Sequence, residues 1–392
     1  MIKATLQIAI REIIRFVMRI FCIFPIKNNR VIFQAYDGKQ YSCNPKYICE
    51  YMLKNGKPIE IIWSLNNPDN YKLAEGIVKT KCYSLKWMYY VMTSKVIVSN
   101  TRPKTIFPAR KKQVFIETWH AGGAYKEVGI NVKSQNKWEK WVLDWSQKKE
   151  AQRTTLFLSS SEIFTKYNIN IAHDYYGDIL CSGMPRNDIF FNQQAYAEAR
   201  ERTRKELGLT GNVVLFAPTW RKSAEESENN SIVKDALDCI TDVANNEWNG
   251  NATILYRGHH WSGDIRENNK KVKDVTSYPD MQELLCAADI LITDYSSSIW
   301  DFAFTQKPCF LFVPDVSFYG GETHGFCTPI ESWPGKICET KESLYNGLAN
   351  IDKTEHARRA SDHIRFAKSY ETGIACSQTS DAIMNYIRSG SR

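Results

Sequence analysis

The sequence predicts an α/β protein of two doubly wound halves around a central cleft, preceded by an amphipathic helix. Three observations carry this reading. Short apolar runs of strand length alternate with segments of helical length, the pattern of a parallel sheet covered on both faces. The series stops at a charged helical stretch and then restarts. The residues with chemistry to offer stand just after the apolar runs, where open parallel sheets bind their ligands.

The first series of strands is 31–36 (VIFQAY), 60–64, 95–99 (KVIVS), 113–118 and 155–159 (TLFLS), with a helix over 44–53. The charged stretch 194–207 ends at Gly208. The second series is 212–217 (NVVLFA), 253–257 (TILYR), 289–293 (DILIT) and 308–313 (PCFLFV), with helices over 232–243, 281–287 and 297–304. The polar run 223–231 (SAEESENNS) reads as a loop, and 355–387 as helical. The expected division is therefore a helix at 1–26, a first half at 27–205 and a second half with the C-terminal helices at 206–392.

Composition narrows the class. Hydrophobic residues are 43% and charged residues 24% of 392, which excludes a disordered or fibrous chain. The net charge of +8 suits an anionic partner, but it is spread along the chain and argues against a nucleic-acid binder. Eleven cysteines with no C-x-x-C pair fit neither a disulfide framework nor a zinc ribbon, so the thiols read as reduced core residues of a cytosolic protein.

Residues 1–26 contain no apolar run of spanning length, because Arg11, Glu12, Arg15 and Arg19 interrupt it. On a helix, Lys3, Gln7, Arg11, Arg15 and Arg19 form one stripe, and Ile2, Leu6, Ile13, Phe16, Val17, Ile20 and Phe24 gather opposite. Such a helix fits either the surface of an anionic membrane or an ordinary packed position on the core.

Five segments carry chemistry. In TWHAGGAYKEVG (118–129), His120 reads either as a general base or as a histidine buried beside Trp119. Gly122 and Gly123 would let backbone approach a ligand, and Lys126 follows. In GMPRND (183–188), Arg186 could face an anion, while Asn187 or Asp188 could cap a helix. APTWR (217–221) offers Thr219 and Arg221 at a strand end, and YRGHH (256–260) offers Arg257 and His259, both in reach of one phosphate. Adjacent His259 and His260 diverge and have no carboxylate at ligand spacing, so no metal is indicated. In ADILITDYSSSIW (288–300), Asp294 precedes Ser296, Ser297 and Ser298 at a helix start, which reads as an anion site or a plain cap. The loop 315–338, with His324 and Glu331, reads as a lid or a substrate-shaping loop.

These segments, with FQAYDGKQYSCNPKYICEY (33–51) and the WPGKI that closes the loop, occur in an order that resembles the CDP-glycerol glycerophosphotransferase family, which includes teichoic acid primases and polymerases and capsule polymerases. The resemblance runs over residues 30–350. It implies a GT-B fold of two Rossmann-like domains with the nucleotide donor in the second. The implied reaction transfers glycerol phosphate from CDP-glycerol to a hydroxyl of a lipid-linked glycan or polyol phosphate acceptor, releasing CMP, at the cytoplasmic face of the plasma membrane. By motif, the base corresponds to His120, and Arg257, His259 and the serines correspond to phosphate-binding residues; no cofactor is implied. Gly122-Gly123-Ala124, His260 and His324 depart from the family's usual residues. The last two fall near the expected donor phosphates and leave open a CDP-ribitol donor, and a sugar-nucleotide glycosyltransferase of the same fold is the rival reading. The acceptor and a homo-oligomeric state are not fixed by the sequence.

Overall fold

The computed structural model describes residues 2–101, 107–131, 137–219, 226–258, 272–319 and 325–389. The N-terminal half follows helix α1 (Ile2–Ile20) and contains β1 (Lys27–Gln34), α2 (Cys43–Lys54), β2 (Glu60–Leu65), β3 (Ile77–Lys81), α3 (Leu85–Thr93), β4 (Ser94–Ser99), β5 (Val114–Glu117), α4 (Lys137–Ala151), β6 (Leu156–Leu158), the short α5 (Glu162–Phe164) and β7 (Asp178–Leu180). The turn of helix α6 (Asp188–Phe191) and α7 (Gln193–Glu206) lead into the second half. That half comprises β8 (Asn212–Phe216), α8 (Glu226–Asn246), β9 (Ala252–Tyr256), β10 (Val272–Asp274), α9 (Met281–Ala287), β11 (Ile290–Thr293), α10 (Ser298–Ala303), β12 (Cys309–Phe312), α11 (Val316–Phe318), β13 (Lys336–Cys338), α12 (Lys341–Ala349) and α13 (Lys353–Phe366), before α14 (Ala375–Ser389).

Every strand pairing is parallel. The first sheet runs β3-β2-β1-β4-β5-β6-β7 and the second β10-β9-β8-β11-β12-β13. Each order reverses direction once, between β1 and β4 and between β8 and β11. Loops leaving those strands diverge to opposite sides and open a crevice at the strand ends.

Alternation across the pleat sends successive side chains to opposite faces. On one face of the first sheet, Val31, Phe33, Val96, Val98 and Ile116 pack with Ile48 and Met52 of α2. On the other, Ile32, Ile62, Ile97 and Phe115 receive Met18 of α1 and Trp87 and Met88 of α3. In the second sheet, Val214, Phe216 and Ile254 pack with Ile240 and Val243 of α8, and Leu215, Leu255 and Leu291 with the α9–α10 side.

The structure changes three expectations. The polar run 223–231 belongs to α8 from Glu226 onward. The C-terminal helices do not stay together: Ile383 and Met384 of α14 join the core of the first sheet, so α14 completes the N-terminal half. In α1, Val17 turns inward with Ile14 and Met18, while Ile13, Phe16 and Ile20 point away from the protein.

Two buried histidines make the fold acid-sensitive. His356 Nδ1 accepts the N–H of Cys309, and His363 sits between the Ser332 carbonyl and the Tyr125 hydroxyl. Burial lowers both to about 4. The unfolded chain takes up these protons near pH 6.5 and the folded chain does not, so stability is full above 6.5 and falls as the pH drops toward 4. Urea midpoints measured from pH 7.5 to 5 should decline, and His363→Phe should decline less steeply over that window whatever its absolute stability.

Candidate active site

The first switch point is built around a strained turn. Beyond β1 the chain passes through Tyr36 (φ 46°), Asp37 (φ 58°) and Gly38 (φ 81°). Left-handed backbone at two consecutive non-glycine residues costs roughly 1–2 kcal/mol each. It is held by Asn100, just past β4, whose Oδ1 accepts the Tyr36 N–H at 2.7 Å, and by Thr101, whose hydroxyl donates to Asp37. The same Asn100 sets His120: its carbonyl oxygen lies 3.1 Å from Nδ1. A carbonyl can only accept, so the proton sits on Nδ1 and the lone pair on Nε2. Trp119 and Tyr36 flank the imidazole at ring separations of 4.3 and 5.8 Å.

The second switch point presents cations and hydroxyls. The turn after β8 is pinned by both carboxylate oxygens of Asp294, which accept the Thr219 N–H at 2.9 and 3.0 Å. That leaves the buried Thr219 hydroxyl with no hydrogen-bond partner among the described residues. After β9, Arg257 donates from Nη1 to the Tyr278 carbonyl, and no carboxylate pairs with it among the described residues. Desolvation by burial lowers its pKa, and the half-buried guanidinium can give an arriving anion charge-assisted bonds. Just ahead of α10, the Ser296 hydroxyl accepts from the amide and hydroxyl of Ser298.

The two switch points face each other across a cleft of about 400 Å³ lined by Tyr36, Cys43, His120, Lys126, Arg186, Thr219, Arg257 and Ser296–Ser298 among others. A polar seam fixes their approach. Arg186 grips Asp301 of α10 with two bonds of 3.0 Å, both side chains buried. Lys46 and Tyr47 of α2 reach Asp280 at 2.6 and 3.2 Å. Glu371 accepts from Met184 N, Asn187 Nδ2 and Trp300 Nε1, and burial holds it up at about 8 against those three donors. The backbone at 125–127 pairs with 325–327.

The family model described as CDP-Glycerol:Poly(glycerophosphate) glycerophosphotransferase matches residues 16–386. The chain belongs to this family. It is similar to a teichoic acid glycerol-phosphate transferase of Staphylococcus aureus, 29% identical over 364 residues that cover 90% of this chain and 92% of the relative. A teichoic acid poly(glycerol phosphate) polymerase of Bacillus spizizenii is also 29% identical, over 88% of each chain. The solved wall teichoic acid polymerase TagF, in a histidine-to-asparagine variant soaked with CDPG, superposes with a TM-score of 0.85 at 26% identity, covering 99% of this chain and 97% of that one. The fold is GT-B, and the enzyme is a glycerophosphotransferase.

Against that family background, the expected site residues divide. His120, Lys126, Arg186, Thr219, Arg257 and the three serines line the cleft. His259, Arg221 and His324 lie outside the described residues. Asp294 is buried and engaged by Thr219. Asn187 bonds Glu371 in the seam, and Glu331 is exposed on a turn away from the cleft. Gly122 does not approach a ligand: a Cβ there would stand 2.1 Å from the Trp300 ring, so the glycine admits the other half's helix. At Gly123 a Cβ would meet the Tyr125 ring. In the loop 315–338, Tyr319 stacks on Tyr295 at 3.7 Å and Trp333 packs on Tyr125 at 4.7 Å, and residues 320–324 lie outside the described residues. Tyr36, Ser42, Cys43, Gln282 and Asp301 line the cleft without having been singled out in the sequence. Their one signal was position: the first three follow the central strand of a doubly wound sheet. Among the described residues no cluster of histidine, cysteine and carboxylate could hold a metal.

Removing one partner of a buried ion pair leaves the other charge stranded. Arg186→Ala should therefore cost about 3–5 kcal/mol in chemical denaturation. Arg186→Met combined with Asp301→Asn should cost less than the two single changes added together.

Proposed function

We propose that the cleft transfers glycerol phosphate directly from CDP-glycerol to an acceptor hydroxyl, with His120 as general base. The acceptor oxygen attacks the β-phosphorus in line and forms the new P–O bond. The bond to the bridging oxygen breaks, and CMP leaves with the electron pair. The acceptor's proton passes to His120 Nε2. One observation carries this reading: a histidine whose tautomer is fixed by the Asn100 carbonyl opens onto the same cleft as a half-buried guanidinium that has no carboxylate partner among the described residues. Arg257, the Thr219 hydroxyl and the serines at 296–298 hold the diphosphate, which spreads the developing charge over fixed donors. His120→Ala should lower turnover by roughly 10²–10⁴ while calorimetric affinity for CDP-glycerol stays near wild type. Arg257→Ala should weaken that affinity. Near-wild-type turnover of His120→Ala with saturating acceptor would return His120 to a packing role.

The acceptor in this reading is lipid-linked, and the enzyme docks on an anionic bilayer. No described helix is long and apolar enough to cross a membrane. Yet α1 exposes Ile10, Ile13, Phe16 and Ile20, and Ile23 and Phe24 extend the row. α4 exposes Trp138, Trp141 and Trp145 on one helical stripe. Both helices belong to one side of the first sheet: Met18 packs with Phe115, and Ala151 with Phe157, and those two phenylalanines share a face. Amphipathic aromatic side chains and a basic helix suit the headgroup region. Ile13→Ser/Phe16→Ser/Ile20→Ser touches only the outward row. It should abolish sedimentation with phosphatidylglycerol vesicles and leave CDP-glycerol affinity intact, and unchanged sedimentation would refute the docking face.

A further inference from the structure

Tyr36 belongs to none of the roles above, yet the structure spends strain on it. Its backbone is left-handed, its N–H is anchored on buried Asn100, and its half-buried ring lines the cleft beside the imidazole. The next support is strained too. Cys43, at the head of α2, has φ 61°, and its thiol accepts Arg186 Nη1 at 3.5 Å. Arg186 and Arg257, one from each half of the molecule, line the same cleft as the phenol. Strained positions persist where surrounding structure forces them, and they concentrate at functional sites.

The chemistry narrows the role. Burial and the neighbouring thiol raise the phenol's pKa well above its ordinary value, so it stays protonated and cannot serve as a base. Arg186 is committed to Asp301. What the cleft offers beside the base and Arg257 is a neutral O–H donor.

We propose that Tyr36 is a further catalytic residue, donating a hydrogen bond to a non-bridging oxygen of the phosphoryl group as it passes from CMP to the acceptor. This rests on the reading that the transferred phosphoryl lies between His120 and Arg257. The bond changes are those already given: acceptor oxygen to β-phosphorus formed, bridging oxygen to β-phosphorus broken, proton to His120. Tyr36 keeps its own proton throughout, and its bond shortens as charge gathers on the phosphoryl oxygens.

Tyr36→Phe keeps the ring beside His120 and removes only the O–H. With CDP-glycerol and a lipid-linked acceptor extract, CMP release should fall about 10²-fold, the scale for loss of one such donor. The calorimetric Kd for CDP-glycerol should stay within about twofold, and the acid limb of the pH–rate profile should not move. Turnover near wild type, or a loss confined to Kd, overturns the assignment. A shifted acid limb also overturns it, since Tyr36 would then act through His120. 3-Fluorotyrosine at position 36 preserves shape while acidifying the phenol, and should change turnover without changing Kd; no change in turnover counts against the proposal even if Tyr36→Phe folds poorly. Absence of CMP release by the unmodified enzyme would overturn the reaction reading and this inference with it. Normal release by that enzyme together with an unimpaired Tyr36→Phe overturns only the inference.

Discussion

Carboxylates buried in the seam between the halves govern the rest of the molecule. Asp301 and Glu371 sit where water does not reach, and each must find its partners across a boundary. Asp301 takes a two-pronged bond from Arg186 and a third from Gln282. Glu371 ties the turn at Met184 and Asn187 to Trp300. An apolar seam would let two surfaces slide, whereas fork-shaped charge pairing allows one register. His120 and Arg257 stand on different sheets, so that register decides whether base and cation address the same phosphorus.

The Gly-Met-Pro-Arg-Asn-Asp turn therefore has an architectural task. Gly183 (φ 83°) passes so close to Glu371 that a Cβ would stand 2.5 Å from its carboxylate. Arg186 reaches Asp301, Asn187 reaches Glu371, and Asp188 accepts the amides of Ala375 and Cys376 at the head of α14. One hexapeptide thus gathers the first sheet, helix α10 and the returning C-terminal helix. The burial that would penalise these polar groups is offset because almost every one is met by a partner of the right type.

Much of this was legible in the sequence, and the failures have a common cause. The central strands β1, β2, β4, β5, β8, β9, β11 and β12 declared themselves because burial on both faces demands continuous apolar runs. The strands that escaped notice, β3, β7, β10 and β13, are the four sheet edges. They read IVKTK, DIL, VKD and KIC, half-exposed pieces with little apolar signal. His120, Thr219, Arg257 and the serines, which line the cleft, were singled out because strand ends are where such sheets bind. Tyr36 and Cys43 were not, because a phenol and a thiol become chemically informative only once strain and neighbours are known. The Arg186–Asp301 pair is separated by 115 residues, and no local pattern announces it. Gly122 illustrates the reverse error: a glycine read as room for a ligand is room for Trp300.

The return of α14 also sets an order for assembly. Ile383 and Met384 fill the core of a sheet whose strands are laid down by residue 180. During vectorial synthesis the second half can complete its own core through α13, while the first still shows an apolar face to the cytosol or the ribosome surface. The half made first is thus the half finished last, and its closing piece arrives tethered to a partner already shaped to receive it.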